Sequence, residues 1–361
     1  MRKLIAGMVA VLLAAVSAFP VQAISAQSAI VLDASTGRVL YEKNADKQSL
    51  IASTTKIMTA LVVCEQCNVL DRVRIPKEAV GIEGSSMYLQ EGEVLTVQEL
   101  LYGLMLHSGN DAATALAIYC GGTVEGFAEL MNDKAHALNL DGTHFVNPHG
   151  LDSPGHYSTA RDLAVMTAYA MENPIFNQTV STKTVCAGKR SLRNHNKLLW
   201  QLEGAEGVKT GYTKAAGRIL VSSTMRDGRR IVVVTINAPD DWKDHSTLVE
   251  KSFRDYCVTR LIDPGQCMAT VPVIGSDITE VDLLAAEGFS FSLRQDEKVS
   301  FKLSGPAFVY APFAEKQEAG YVHVLVDDVA VGKVPLIYSH GAQMEKSPEP
   351  SLWDKIFRRA G

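Results

Sequence analysis

The chain has 361 residues, 47% apolar and 21% charged, with 27 Gly and 13 Pro, which allows an ordinary buried core and excludes collagen-like and disordered chains. A formal charge of −5, with no Lys/Arg run longer than two residues, excludes the basic footprint of a nucleic-acid binder. The length suits two domains.

Residues 1–23 read as an export signal. Arg2 and Lys3 form a positive start, Leu4 to Val16 is an apolar run, and Val21-Gln22-Ala23 offers small residues for cleavage, so the mature chain is expected from Ile24. Residues 29–41 then predict a hairpin of two exposed strands around the turn Ala34–Gly37. From Ser53 to Val63 apolar residues recur at helical spacing behind a capping residue, and further helices are predicted over 96–107, 111–120, 124–138 and 159–172. The period changes at 218–225 and 230–237, two β-branched runs joined by Arg226-Asp-Gly-Arg229, a strong hairpin signal. Strands on both sides of a helical block predict an α+β unit in which the first hairpin joins the later one in a single sheet.

Beyond residue 262, alternating strands at 278–285, 289–294, 297–303 and 321–338 predict a small all-β domain. Residues 341–350 read as a polar linker, and 351–361 as a short helix on which Leu352, Trp353, Ile356 and Phe357 share one arc, a membrane-surface pattern. The expected organisation is therefore a signal at 1–23, a main domain at 24–262, a β domain at 263–340, the linker and the amphipathic tail. All six cysteines (Cys64, Cys67, Cys120, Cys186, Cys257, Cys267) lie after the signal, which permits three disulfides without specifying any. Cys64-Glu-Gln-Cys67 has no second C-x-x-C, and packing thiols are the expectation.

Three motifs carry chemistry: Ser53-Thr-Thr-Lys56 at a helix start, Ser108-Gly-Asn110 between helices, and Lys209-Thr-Gly211 just before the strand pair. Positions i and i+3 share a helix face, so Lys56 can reach the Ser53 hydroxyl and act as its base. Bringing a lysine from about 10.4 to near 7 takes roughly 4 to 5 kcal/mol, which burial, the helix N-terminus and a second cation can supply. Lys209 is that cation; it can also hold a substrate carboxylate or relay a proton through Ser108 to the leaving amine. Asn110 offers an amide to a peptide carbonyl and to Lys56. Thr210 and Gly211 lie on an edge strand to which an extended peptide can add, and the backbone N–H groups of Ser53 and Tyr212 are the expected oxyanion hole. This is acyl transfer without histidine.

With Asn147-Pro-His-Gly-Leu-Asp152, His156-Tyr-Ser-Thr-Ala-Arg-Asp-Leu163, Asn194-His-Asn-Lys-Leu-Leu-Trp200 and Gly207-Val-Lys-Thr-Gly-Tyr-Thr213, the trio resembles the serine-type D-alanyl-D-alanine carboxypeptidases, low-molecular-mass penicillin-binding proteins that share the serine β-lactamase fold. The resemblance implies a β-lactamase/transpeptidase-like domain, an antiparallel sheet flanked by helices, followed by a small β domain. It also implies removal of the terminal D-alanine from peptidoglycan stem pentapeptides, acylation by β-lactam antibiotics, and an exported enzyme bound to the outer face of the cytoplasmic membrane. Ser53 then looks like the nucleophile, Lys56 its base, and Ser108, Asn110 and Lys209 their partners. Some members have Arg in place of His195 and His in place of Tyr212, a departure that touches the carboxylate contact and acyl-enzyme hydrolysis.

Other readings remain open. His144, His149 and His156 suggest zinc, but their spacings lack the H-E-x-x-H pattern and the Pro- and Gly-bearing segment is a loop, so structural hydrogen bonding is expected and no metal or cofactor. A β-lactamase of class A would deacylate through Glu in an E-x-x-L-N-like run, where this chain has Ala135 before Leu138-Asn139. A D,D-endopeptidase of the same fold, or a non-catalytic cell-wall binding protein, completes the alternatives.

Overall fold

The computed structural model describes residues 24–345; the expected signal at 1–23 and tail at 351–361 lie outside the described residues. In chain order, β1 (Ser28–Asp33) and β2 (Arg38–Lys43) form the opening hairpin. They precede α1 (Lys56–Gln66), β3 (Arg72–Arg74), β4 (Val94–Thr96), α2 (Val97–Leu106), α3 (Asn110–Gly121), α4 (Val124–Ala137), α5 (Ala160–Ala170) and α6 (Pro174–Ser181). The small hairpin β5 (Thr184–Ala187) and β6 (Arg190–Arg193) and the single turn α7 (Leu198–Gln201) lead to β7 (Ala205–Thr213), β8 (Gly217–Arg226), β9 (Arg229–Ile236) and α8 (Asp241–Asp255).

One five-stranded antiparallel sheet, ordered β2-β1-β9-β8-β7, joins the first hairpin to the last as the sequence suggests. The opening strands are not both exposed, however: every residue of β1 is buried, because β1 sits between β2 and β9. Side chains alternate across the sheet. Ile30, Leu32, Ile219, Val221, Val232 and Val234 join the large core made with the helical block. Val31, Leu220, Ile231 and Val233 pack on the other face with Leu248 and Val249 of α8. Two covered faces explain the unbroken apolar run in β9. The β8–β9 turn puts Asp227 and Gly228 at φ +50° and +76°, the left-handed pair of a type I′ turn.

The helical block follows its caps. Thr96 and Glu99 form a complete capping box on α2, Thr123 and Thr159 cap α4 and α5, and Asn173 with Pro174 opens α6. α1 departs from expectation. It starts at Lys56, behind a 3-10 turn at Ala52–Thr55, and Ser53 caps nothing.

The remaining strands are β10 (Cys257–Ile262), β11 (Cys267–Ile274), β12 (Glu280–Ala285), β13 (Phe289–Leu293), β14 (Val299–Ser304), β15 (Val309–Tyr310), β16 (Glu318–Val326) and β17 (Val329–Tyr338). They build a six-stranded sheet, β14-β16-β17-β12-β11-β15, and the pair β10-β13. The stretch 321–338, expected as one strand, is a hairpin that turns at Asp327 and Asp328, both with positive φ. β10, ahead of residue 262, pairs with β13 beyond it. The expected linker also starts packed, since Ala342 is buried and exchanges backbone hydrogen bonds with Phe313. The two units meet through polar groups: buried Asp33 accepts from Arg229 and Ser292, and Arg38 pairs with Glu297. Among the described residues no helix is long and apolar enough to cross a membrane.

Candidate active site

Ser53 lies in the 3-10 turn and Lys56 opens α1, so the i, i+3 pair is presented across the joint between the two helical forms. Lys56 is fully buried, and its Nζ lies 3.0 Å from Ser53 Oγ, 2.7 Å from Asn110 Oδ1 and 2.6 Å from the His149 carbonyl oxygen. Burial, and then the charge of Lys209, hold the Lys56 amine well below the ordinary lysine range, with Asp111 opposing. A neutral amine has two N–H bonds, which the Asn110 and His149 oxygens take up. Its lone pair then faces the Ser53 hydroxyl, the arrangement a proton acceptor needs.

The loop 147–152 backs this arrangement. Asn147 Oδ1 accepts the backbone N–H groups of His149 and Gly150, and Thr59 Oγ1 donates to the Pro148 carbonyl at 2.6 Å. Gly150 has φ +85°, and a Cβ there would stand 1.9 Å from the Ala52 carbonyl oxygen, so only glycine fits. Ala52 itself has φ +44°. Its carbonyl accepts from Thr55 Oγ1, which in turn lies 2.8 Å from His156 Nε2, while His156 Nδ1 accepts the Val146 N–H. Both ring nitrogens of His156 are thus engaged, and burial pushes the imidazole down to about 4. Among the described residues no cluster of His, Cys, Asp and Glu is arranged to hold a metal.

Ser108 is a second strained residue, at φ +63° two residues before α3. The Asn110 backbone N–H donates to the Ser85 carbonyl at 2.7 Å, and its side-chain amide nitrogen to the Glu83 carbonyl. One of the two hydrogens on that nitrogen, expected to meet a peptide carbonyl, is thus engaged by the protein. Asp111 accepts from Ser86 Oγ and from the backbone of Met87 and Leu89, which fixes the 85–89 loop at the cleft. Sequence reasoning missed this loop and the role of Asp111 in it; the adjacent Gly84-Ser85-Ser86 was the available signal.

On the other side is the edge strand β7. Lys209 is buried, its Nζ donates to the Thr210 carbonyl at 2.9 Å, and burial brings it down to about 7. Gly211 lies against the 3-10 turn: a Cβ there would be 3.3 Å from the Ile51 oxygen and from the backbone nitrogens of Ser53 and Thr54. This close approach sets the backbone just before Tyr212 next to the Ser53 amide. Tyr212 is exposed and pairs opposite Arg218. Ser53, Ser85, Ser108, Thr210, Gly211 and Tyr212 line a cleft of about 380 Å³, with Arg218, Asp241 and Trp242 at its side. His195 lines it too, and burial, then the charge of Lys209, push its imidazole down to about 4, so it brings no cation at neutral pH. Lys56, Asn110 and Lys209 stand behind the cleft wall rather than on it.

The family model described as D-alanyl-D-alanine carboxypeptidase matches residues 14–240. The chain belongs to that family. It is a serine peptidase, a hydrolase. The carboxypeptidase is 32% identical over 328 residues to D-alanyl-D-alanine carboxypeptidase DacF of Bacillus subtilis, covering 86% of this chain and 84% of the relative. It is 33% identical over 356 residues to DacC of Escherichia coli, covering 93% and 88%. Among solved structures, penicillin binding protein 5 from Haemophilus influenzae superposes with a TM-score of 0.79 at 28% identity, covering 89% of this chain and 98% of that one. The α+β architecture expected from the sequence is the architecture of these carboxypeptidases.

Proposed function

We propose that this carboxypeptidase removes the terminal D-alanine of peptidoglycan stem pentapeptides through a Ser53 acyl-enzyme, and that β-lactam antibiotics acylate the same serine. The observation that supports this most directly is the buried Lys56 amine 3.0 Å from Ser53 Oγ, with its N–H bonds committed to Asn110 and His149. Lys56 takes the hydroxyl proton as Ser53 Oγ attacks the carbonyl carbon of the penultimate D-alanine. The oxyanion forms between the Ser53 and Tyr212 N–H groups, on the two backbone segments that Gly211 brings together. Lys209 supplies positive charge, and Ser108 passes a proton to the departing D-alanine amine. Water then releases the shortened peptide. Thr210 and Gly211 receive the substrate as an added strand along β7, the sheet edge.

Release of free D-alanine from a peptide ending in D-Ala-D-Ala tests the proposal. The wild-type chain is expected to release it and Ser53→Ala to fall to background, with labelled penicillin staying on wild type alone. Penicillin acylation without D-alanine release leaves an endopeptidase or a lactamase-like enzyme; no acylation at all leaves a wall binder. Residues 24–262 are read as the catalytic unit, preceded by an export signal and followed by a β domain of no assigned chemistry. The apolar arc of 351–361 is read as a membrane-surface anchor for an extracytoplasmic enzyme; deletion of these residues should abolish liposome association, and unchanged binding overturns the anchor.

A further inference from the structure

We propose that Cys67 and Cys120 are joined by a disulfide in the mature enzyme. Cys67 ends α1 in an extended conformation (φ −118°, ψ 147°) that turns it out of the helix, while its N–H still bonds the Val63 carbonyl. Cys120 lies in the last turn of α3. Both pack on the same apolar core, α1 and α3 lie directly against each other, both thiols are half-buried, and each is the foremost influence on the other's proton affinity, raising Cys67 and lowering Cys120. The adjoining residues are tied as well, since Tyr119 Oη donates to Asp71 Oδ2 at 2.8 Å. Cys64, one turn back, is buried and its thiol is pushed up to about 12 by burial, which makes it the inert member of the three. Cys186, Cys257 and Cys267 are exposed and lie on β5, β10 and β11.

The chemistry is exchange with a small-molecule disulfide such as oxidised glutathione. The neighbouring Cys67 thiol favours the Cys120 thiolate, whose pKa is lowered, while Cys67 keeps its proton. Cys120 attacks one glutathione sulfur and releases one glutathione thiolate. Cys67 then loses its proton, attacks the Cys120 sulfur and releases the second, so two protein thiols are oxidised as one disulfide is reduced to two thiols. The closed loop of about 50 residues contains Ser108 and Asn110, and the bond ties the far ends of the two helices that start at Lys56 and Asn110. The bond holds independently of the substrate reading.

The test is a non-reducing peptide map of the purified full chain equilibrated in a glutathione redox buffer, with wild type, Cys64→Ser and Cys67→Ser. A Cys67–Cys120 link is expected in wild type and in Cys64→Ser and absent in Cys67→Ser. The oxidised wild type should melt about 5–10 °C above its reduced form. Both thiols alkylated after oxidation, a Cys64–Cys67 link, or glutathione left on Cys120 overturns the proposal. Should Cys67→Ser not fold, the wild-type and Cys64→Ser maps decide.

Discussion

In the proposed mechanism Lys56 and Lys209 divide their labour by proton affinity. Lys56 needs to be neutral and Lys209 charged, and burial lowers both, with the Lys209 charge lowering Lys56 further. Lys56 therefore releases its proton first as pH rises, and Lys209 follows near 7 in the free enzyme. The expected kcat/KM profile climbs as Lys56 deprotonates and falls again as pH passes about 7 and Lys209 does the same. Lys209→Arg, which keeps its charge, should remove the alkaline fall even if the rate drops. A pH–rate profile of D-alanine release on both proteins checks this; an unchanged alkaline limb in the variant rules out Lys209 as its origin. These residue types and their spacing were legible in the sequence because i, i+3 geometry is local. That Lys56 also bonds the His149 carbonyl was not, since no sequence rule brings residue 149 to residue 56.

At the scale of elements, the loop 147–152 acts as a brace for the turn that carries Ser53. Its histidines look like ligands in the sequence, yet its decisive residue is Gly150, pressed against the Ala52 carbonyl at the base of the 3-10 turn. Gly150→Ala combines a strained positive φ with a backbone collision, and should cost about 3 kcal/mol and lower the penicillin acylation rate of whatever folds. Urea unfolding and an acylation time course measure the two effects; a variant with wild-type stability would mean the brace yields freely. α8 shows why sequence periodicity fell short. Its buried face includes His245, whose ring nitrogens lie 2.7 Å from Ser222 Oγ and 2.9 Å from Thr235 Oγ1, and Ser252, which donates to the Leu248 carbonyl. These polar residues on the inward face thin the apolar stripe to Trp242, Leu248, Val249 and Phe253, which keeps helical spacing but lies among mostly charged and polar residues. The Thr caps of α2, α4 and α5, by contrast, were readable because capping needs only neighbouring residues.

Across the whole molecule, stability should fall on acidification. Burial pushes His156 down to about 4 and His245 to about 3. Depressed pKa values mean that the unfolded chain, with histidines near 6.5, takes up protons that the fold refuses, so stability is complete above about 6.5 and is lost as pH falls through the folded values. Each histidine accounts for about 2 kcal/mol between pH 7 and pH 5. Urea midpoints across that range, compared with His245→Gln, should show a shallower decline in the variant. An equal decline would trace the acid sensitivity to other groups.

The central place of β1 has a temporal consequence. The first strand of the fold finds its second partner, β9, only after some 200 further residues exist, and the edge strand beside Ser53 is made almost as late. A chain still growing at the ribosome, with its serine and lysine long since made, holds neither a closed sheet nor a second amide for the oxyanion. On the proposed mechanism the enzyme is thus silent until β7 and β9 have been made, and its first turnover marks a chain whose catalytic half is complete.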